Sequence, residues 1–221
     1  RFWNTQAIVN PLNKIKKQGE IKQFKKEDIP TEPLKLPEGF VWSDLDVEDD
    51  AQVEELKGFL ENHYVEDNVG NFRLKYSADK LRWGIQMPGY LKELHFLVRS
   101  AGKGKIMACI IGVPKTLIIC GKKVKMLEVN FLAVHQKVRS KRMAQIVIQE
   151  MMRRKRLLGF PQAFYTSGHS MPTPFTTCHY MNRFINGKTL VLTKYTNCPP
   201  DMSLKEFDRK YRLPRKETIK L

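Results

Sequence analysis

Hydrophobic positions change their period several times along this chain, and each change marks an element. Residues 46–62 are acidic, yet they place Val47, Val53, Leu56, Phe59 and Leu60 at near-helical spacing, which predicts a helix with Ser43 or Asp46 as its N-cap. Short apolar runs at 94–99 and 105–112 are divided by Ser100-Ala101-Gly102-Lys103-Gly104, a hairpin signal. Runs at 117–120 and 124–134 flank Gly121-Lys122-Lys123 in the same way, so an antiparallel meander of four strands is expected. Over residues 140–158, Met143, Ala144, Val147, Ile148, Met151 and Leu158 share one helical face, and Gly159 stands where a C-terminal cap belongs. Further strands are expected at 163–167 and 190–193, with a Pro/Thr-rich connection at 171–177 between them. Residues 1–39 are broken by Pro11, Pro30, Pro33 and Pro37 and read as an extended arm, while residues 63–72 read as a long loop. The sum is an α/β fold: one mixed, largely antiparallel sheet flanked by helices.

Composition narrows the classes. A chain of 221 residues, 42% hydrophobic, can bury the core of one large domain or two small ones. Its apolar runs are far shorter than the roughly 20 residues that cross a bilayer, so no membrane span is expected. The start, Arg1-Phe2-Trp3-Asn4-Thr5-Gln6, lacks a signal-peptide layout and an initiator Met, which points to a trimmed N-terminus without export. Cys109, Cys120, Cys178 and Cys198 form neither a C-x-x-C pair nor a disulfide framework, so a cytoplasmic protein is expected. With the histidines equally scattered, no metal site is expected. The formal charge is +16, but residues 41–70 hold ten acids and one lysine, leaving 38 of the 39 bases and 13 of the 23 acids for the rest. Such an excess suits a nucleic acid, an anionic membrane or a polyphosphate ligand, or is a solvated surface.

One segment concentrates chemistry. Glu128-Val129-Asn130-Phe131-Leu132-Ala133-Val134-His135 ends a strand, and Arg139-Ser140-Lys141-Arg142-Met143-Ala144 opens the long helix. The first N–H groups of a helix lack intrahelical partners and lie at the positive end of its dipole, so they can hold a phosphate. Arg139, Lys141 and Arg142 add charge, and the small Ala144 lets a diphosphate approach the backbone. The same residues also fit a well-capped, solvent-facing basic helix start.

Arg139-x-x-Arg142-x-Ala144 resembles the Arg/Gln-x-x-Gly-x-Gly/Ala diphosphate loop of GNAT-type acyltransferases, with Arg142 in place of the first glycine. More specific is Glu128 to His135, which resembles the N-myristoyltransferase signature Glu-Ile/Val-Asn-Phe-Leu-Cys-x-His-Lys, with Ala133 for Cys and Gln136 for Lys. The likeness continues through Phe2-Trp3-Asn4-Thr5-Gln6, His63-Tyr64-Val65-Glu66-Asp67, Phe72-Arg73 with Tyr76-Ser77, Trp83 to Leu91, and Tyr165-Thr166-Ser167-Gly168. It includes Pro172, Pro174, Cys178-His179-Tyr180 and Tyr211-Arg212-Leu213-Pro214, whereas Met181-Asn182 replace the family's Trp-His.

The resemblance implies a GNAT-like fold and transfer of myristate from myristoyl-CoA, the acyl donor, to the N-terminal glycine amine of proteins. By the same likeness, 1–42 is an arm contributing to the donor site, 43–214 the acyl-CoA-binding domain, and 215–221 the start of a linker to a C-terminal half. That missing half, normally the source of the base and of much of the peptide groove, would be a partner, so residues 1–221 alone are expected to transfer poorly. The implied oxyanion donors are the amides of Phe131 and Leu132, with Thr166 positioning the amine. Arg1, Phe2, Trp3, Ala133 and Val134 would also meet the donor, with Ser140, Arg142, Met143 and Ala144 at its diphosphate. Tyr64, Asp67, Phe72, Tyr76, Asn130 and Tyr180 would line the peptide groove. His135 is expected to be structural. The alternatives are a GNAT-type transferase of a shorter acyl group and, more remotely, a basic nucleic-acid-binding protein, although no nucleic-acid motif is present.

Overall fold

A computed structural model describes residues 19, 25–65, 73–168 and 174–213. These fall into two compact units, divided between Thr173 and Pro174.

In the first unit a five-stranded sheet has the order β1-β2-β3-β4-β5. β1 is Phe40–Asp44. The helices α1 (Asp50–His63) and α2 (Ala78–Ile85) follow. The meander is β2 (His95–Ser100), β3 (Ile106–Ile119) and β4 (Lys122–Val134), all antiparallel, with β1 antiparallel to β2. Helix α3 (Met143–Leu157) leads to β5 (Ala163–Phe164), which is parallel to β4. The mixed, largely antiparallel sheet flanked by helices therefore forms as expected.

Alternating side chains give the sheet two apolar faces. Leu97, Cys109, Ile111 and Ala133 meet Leu56, Leu60, Leu81 and Ile85 of α1 and α2 on one face. Phe96, Ala108, Ile110 and Leu127 meet Val147 and Met151 of α3 on the other. The acid-rich helix forms, but Asp49 caps it by accepting from the Ala51 and Gln52 N–H groups. Ser43, one of the two expected caps, is inside β1, and Asp46 instead accepts from the Glu48 N–H.

The runs at 105–112 and 117–120 are one strand, not two. β3 continues past Pro114, and its pairing with β2 ends at Ile111, so a residue without an N–H sits where the strand has lost one neighbour. The turn to β4 is Cys120-Gly121, with φ of 49° and 75°, one residue earlier than expected; this two-residue turn of positive φ suits the twist of a hairpin. The fourth antiparallel strand is β1, whose mixed sequence Phe-Val-Trp-Ser-Asp gives no alternation to read.

Part of the N-terminal arm lies on α3. Glu150, fully buried, accepts the Leu34 N–H at 3.0 Å, and Arg153 donates to the Pro30 and Thr31 carbonyls at 3.2 and 2.8 Å. Burial raises the Glu150 carboxyl, but hydrogen bonds from Arg153, Leu34 and Arg154 outweigh it and hold it below the usual range. At the other end of α3, Gly159 has φ +83°, as a C-terminal cap requires.

The second unit holds α4 (Gly187–Leu192) and α5 (Leu204–Tyr211). The strand expected at 190–193 is thus a helix. Asn186 caps it by accepting the Thr189 N–H at 3.0 Å, and such a short apolar run carries no period that separates strand from helix. Phe184, Phe207 and Tyr211 form its aromatic centre, with ring centroids 4.9 to 5.9 Å apart.

Candidate functional site

The signature segment lies in β4, where the ladder breaks. Cys109 pairs with Ala133 and Ile111 with Asn130, so Ile110 alone faces both Phe131 and Leu132: a β-bulge. Phe131 takes φ +51°, a left-handed conformation that a bulky residue adopts only under constraint. Its side chain packs with the α1–α2 face, between Tyr64 and Tyr76, each with its ring centroid 5.7 Å away. Leu132 turns to the α3 face, and Ala133 and Val134 are buried. The side chains are thus core, and whatever the bulge offers chemically is backbone. The Phe131 N–H faces the Tyr64 hydroxyl; burial and the neighbouring Tyr76 raise that hydroxyl's pKa, and the N–H opposes them. The Phe131 carbonyl points inward, accepting a hydrogen bond from the Cys109 thiol at 3.1 Å.

Immediately beyond lies the basic turn. His135 accepts the Lys137 N–H through Nδ1 at 3.2 Å and contacts His63, ring centroids 4.2 Å apart, which is a structural role. Residues Gln136–Lys141 form a tight 3-10 stretch, and Arg142 follows with φ +57°. The long helix therefore begins at Met143 rather than Ser140, because the left-handed Arg142 breaks the helical path. This left-handed conformation is one that glycine adopts most readily. No side chain caps α3, so the amides of Met143 and Ala144 open at the positive end of the helix without a competing protein acceptor from the cap.

The basic side chains here are not equivalent. Arg139 is engaged as a fastener, donating from Nε to the Val134 carbonyl at 3.1 Å and from Nη2 to the His63 carbonyl at 3.2 Å. Lys141 sits over the Phe40 ring, 5.7 Å from its centroid. Of the three cations expected to add charge here, Arg139 is thus also tied to two backbone carbonyls. Arg142 and Ser140 are both exposed.

Of the residues expected on the acceptor side, Tyr64 and Tyr76 both meet the Phe131 ring, and Asn130 precedes Phe131 in β4. β5 pairs with β4 only at Leu127 and Glu128, and Thr166 follows two residues after Phe164, exposed. Tyr180 belongs to the second unit and is 92% exposed. Arg1, Phe2, Trp3, Asp67 and Phe72 lie outside the described residues. Sequence reasoning gave no role to Cys109; only the register that sets it opposite Ala133 reveals its contact with the bulge.

Residues 20–178 match the family model described as Myristoyl-CoA:protein N-myristoyltransferase, N-terminal domain. The chain is 38% identical to the glycylpeptide N-tetradecanoyltransferase of Dictyostelium discoideum, over 96% of this chain and 51% of the relative. It is 37% identical to that of Candida albicans, over 100% of this chain and 49% of the relative. The crystal structure of Saccharomyces cerevisiae N-myristoyltransferase with bound myristoyl-CoA superposes with a TM-score of 0.91 at 35% identity, covering 98% of this chain and 52% of that one. The chain spans about half the length of the relatives it matches. With the bulged signature strand, the basic turn and the helix start in the order the family carries them, the chain belongs to the N-myristoyltransferase family.

Proposed function

We propose that this chain binds myristoyl-CoA and presents its thioester to the N-terminal glycine amine of acceptor proteins, as the donor-binding half of an N-myristoyltransferase acting in the cytosol. The observation that carries the reading is the juxtaposition, within one strand–turn–helix, of a bulge at Phe131 and an uncapped helix start at Met143. The Phe131 and Leu132 amides serve as uncharged oxyanion donors, the Phe131 N–H exchanging the Tyr64 hydroxyl for the thioester oxygen. Ser140, Arg142, Met143 and Ala144 hold the diphosphate. The acyl chain starts beside Ala133 and Val134.

The amine nitrogen attacks the thioester carbon, the carbonyl electrons move to oxygen, and collapse of that oxyanion expels the coenzyme as thiolate. The carbon–nitrogen bond replaces the carbon–sulfur bond, and the proton lost by the amine passes to a base supplied by the partner half of the enzyme. Thr166 orients the amine. Tyr64, Tyr76 and Asn130 meet the acceptor peptide, in a groove the partner half completes.

Calorimetric titration with myristoyl-CoA and acetyl-CoA tests the reading. Each buried methylene contributes about 0.8 kcal/mol, so the long-chain thioester binds far more tightly. Equal affinities indicate a transferase of shorter acyl groups, and salt-sensitive RNA binding unaffected by coenzyme A indicates a nucleic-acid-binding protein; either result rejects the proposal.

A further inference from the structure

We infer that Cys109 is a positioning residue for the oxyanion donors: its thiol anchors the Phe131 carbonyl in the core and thereby fixes the direction of the Leu132 N–H. The inference rests on the reading above, in which that N–H meets the thioester oxygen.

The link is covalent geometry. The Phe131 carbonyl and the Leu132 N–H belong to one planar, trans peptide unit and point in opposite directions. A carbonyl drawn inward to Cys109 Sγ at 3.1 Å therefore sends the N–H the other way, out of the ladder. Without an anchor the unit has an alternative. Rotation about ψ of Phe131 and φ of Leu132 swings the carbonyl outward and turns the N–H inward, leaving the φ of +51° at Phe131 in place. The bulge gives the carbonyl no residue of its own across the ladder, since Ile110 alone faces two residues of β4.

Cys109 fits the task. It is fully buried among apolar neighbours and paired directly with Ala133, the residue after the bulge. Burial pushes its thiol up to about 12, with the Ala133 N–H opposing, so near neutrality the sulfur keeps its proton and remains a donor. A thiol is a weak donor, and here it holds the carbonyl at 3.1 Å in a part-buried setting. The family signature has a thiol at position 133 where this chain has Ala133; here a thiol stands directly across the strand instead.

The test reads the donor geometry without requiring turnover. Myristoyl-CoA labelled with a heavy isotope at its thioester carbonyl is bound to residues 1–221, and isotope-edited infrared difference spectroscopy measures how far binding lowers the carbonyl stretch. Wild-type protein and Cys109→Ser, which keeps a donor, show the downshift. Cys109→Ala and Cys109→Val, which lack one, lose most of it while binding coenzyme A itself as wild type does. Retention of the full downshift in Cys109→Val, which fills the space without a donor, overturns the inference and leaves the oxyanion reading standing. Absence of any downshift in bound wild type overturns that reading, and this inference with it. Because Ser and Val both fill the site, their contrast reports the donor even if the alanine variant fails to fold.

Discussion

The Arg153 guanidinium grips the Glu150 carboxylate with two hydrogen bonds, Nε at 2.9 Å and Nη2 at 2.6 Å, one turn apart on α3. Arg154 adds a third at 2.9 Å, and Glu150 and Arg153 lie buried beneath the arm residues they also hold. Glu150→Ala leaves the Arg153 guanidinium without its paired carboxylate and the Leu34 N–H without its acceptor, while Arg154 keeps its ion pair with Asp44. Breaking a buried pair from one side costs about 3 to 5 kcal/mol. Urea unfolding is expected to show that loss, with residues 30–34 becoming more sensitive to protease; a change below about 1 kcal/mol rejects the network as a clamp.

Arg142 combines charge with a strained backbone at the proposed diphosphate cradle. Arg142→Glu is expected to weaken coenzyme A binding by about 1 to 3 kcal/mol, the scale of a charge-assisted hydrogen bond. Arg142→Gly loses the charge but relaxes φ +57°, so it should stabilise the fold slightly while still binding more weakly than wild type. Calorimetry paired with thermal unfolding separates the two effects. Unchanged affinity in a folded glutamate variant removes Arg142 from the site.

His95 links stability to acid. It is fully buried and stacked on Tyr90 at 5.5 Å. Burial pushes its pKa down to about 4, the Gly112 carbonyl opposing, from the unfolded value of 6.5. Between those values the unfolded chain binds the extra proton. The contribution is therefore complete above about pH 6.5, declines as pH falls, and is gone near 4, amounting to roughly 3 kcal/mol. Urea midpoints measured above about pH 7 and near pH 5 should differ in wild type and converge in His95→Phe. An equal pH dependence in both proteins rules out His95 as its source.

Residues 1–221 alone are expected to bind myristoyl-CoA but to acylate a glycine-initiated peptide slowly. The proposed donor contacts all precede Met151, whereas general-base assistance, typically worth about 100- to 10,000-fold, is assigned to the partner half. Supplying that half in trans should raise single-turnover acylation if the halves dock. Rapid transfer by residues 1–221 alone would place the base within this chain, with His135 the first to substitute.

How much was legible in the sequence varies by element. The acid-rich helix and α3 were readable because long, strongly periodic segments commit their own backbone whatever surrounds them. The meander was readable from its glycine turns. β1 was not, since Phe40–Asp44 becomes a strand only by pairing with β2, and α4 was mistaken for a strand because six residues carry too little period. For the site, a motif showed where chemistry concentrates but not how its groups face.

The sequence by itself determined the family, the two-faced sheet and the strand–turn–helix that the proposed donor site occupies, because these follow from local pattern and motif. The family resemblance also implied the bulge at Phe131, whereas tertiary structure alone decided that Cys109 lies behind its carbonyl and that Arg139 meets the His63 and Val134 carbonyls. Each depends on register or on residues far apart in the chain meeting across the sheet. Spacing along one strand says which residues share a face, but it says nothing of which residue stands opposite.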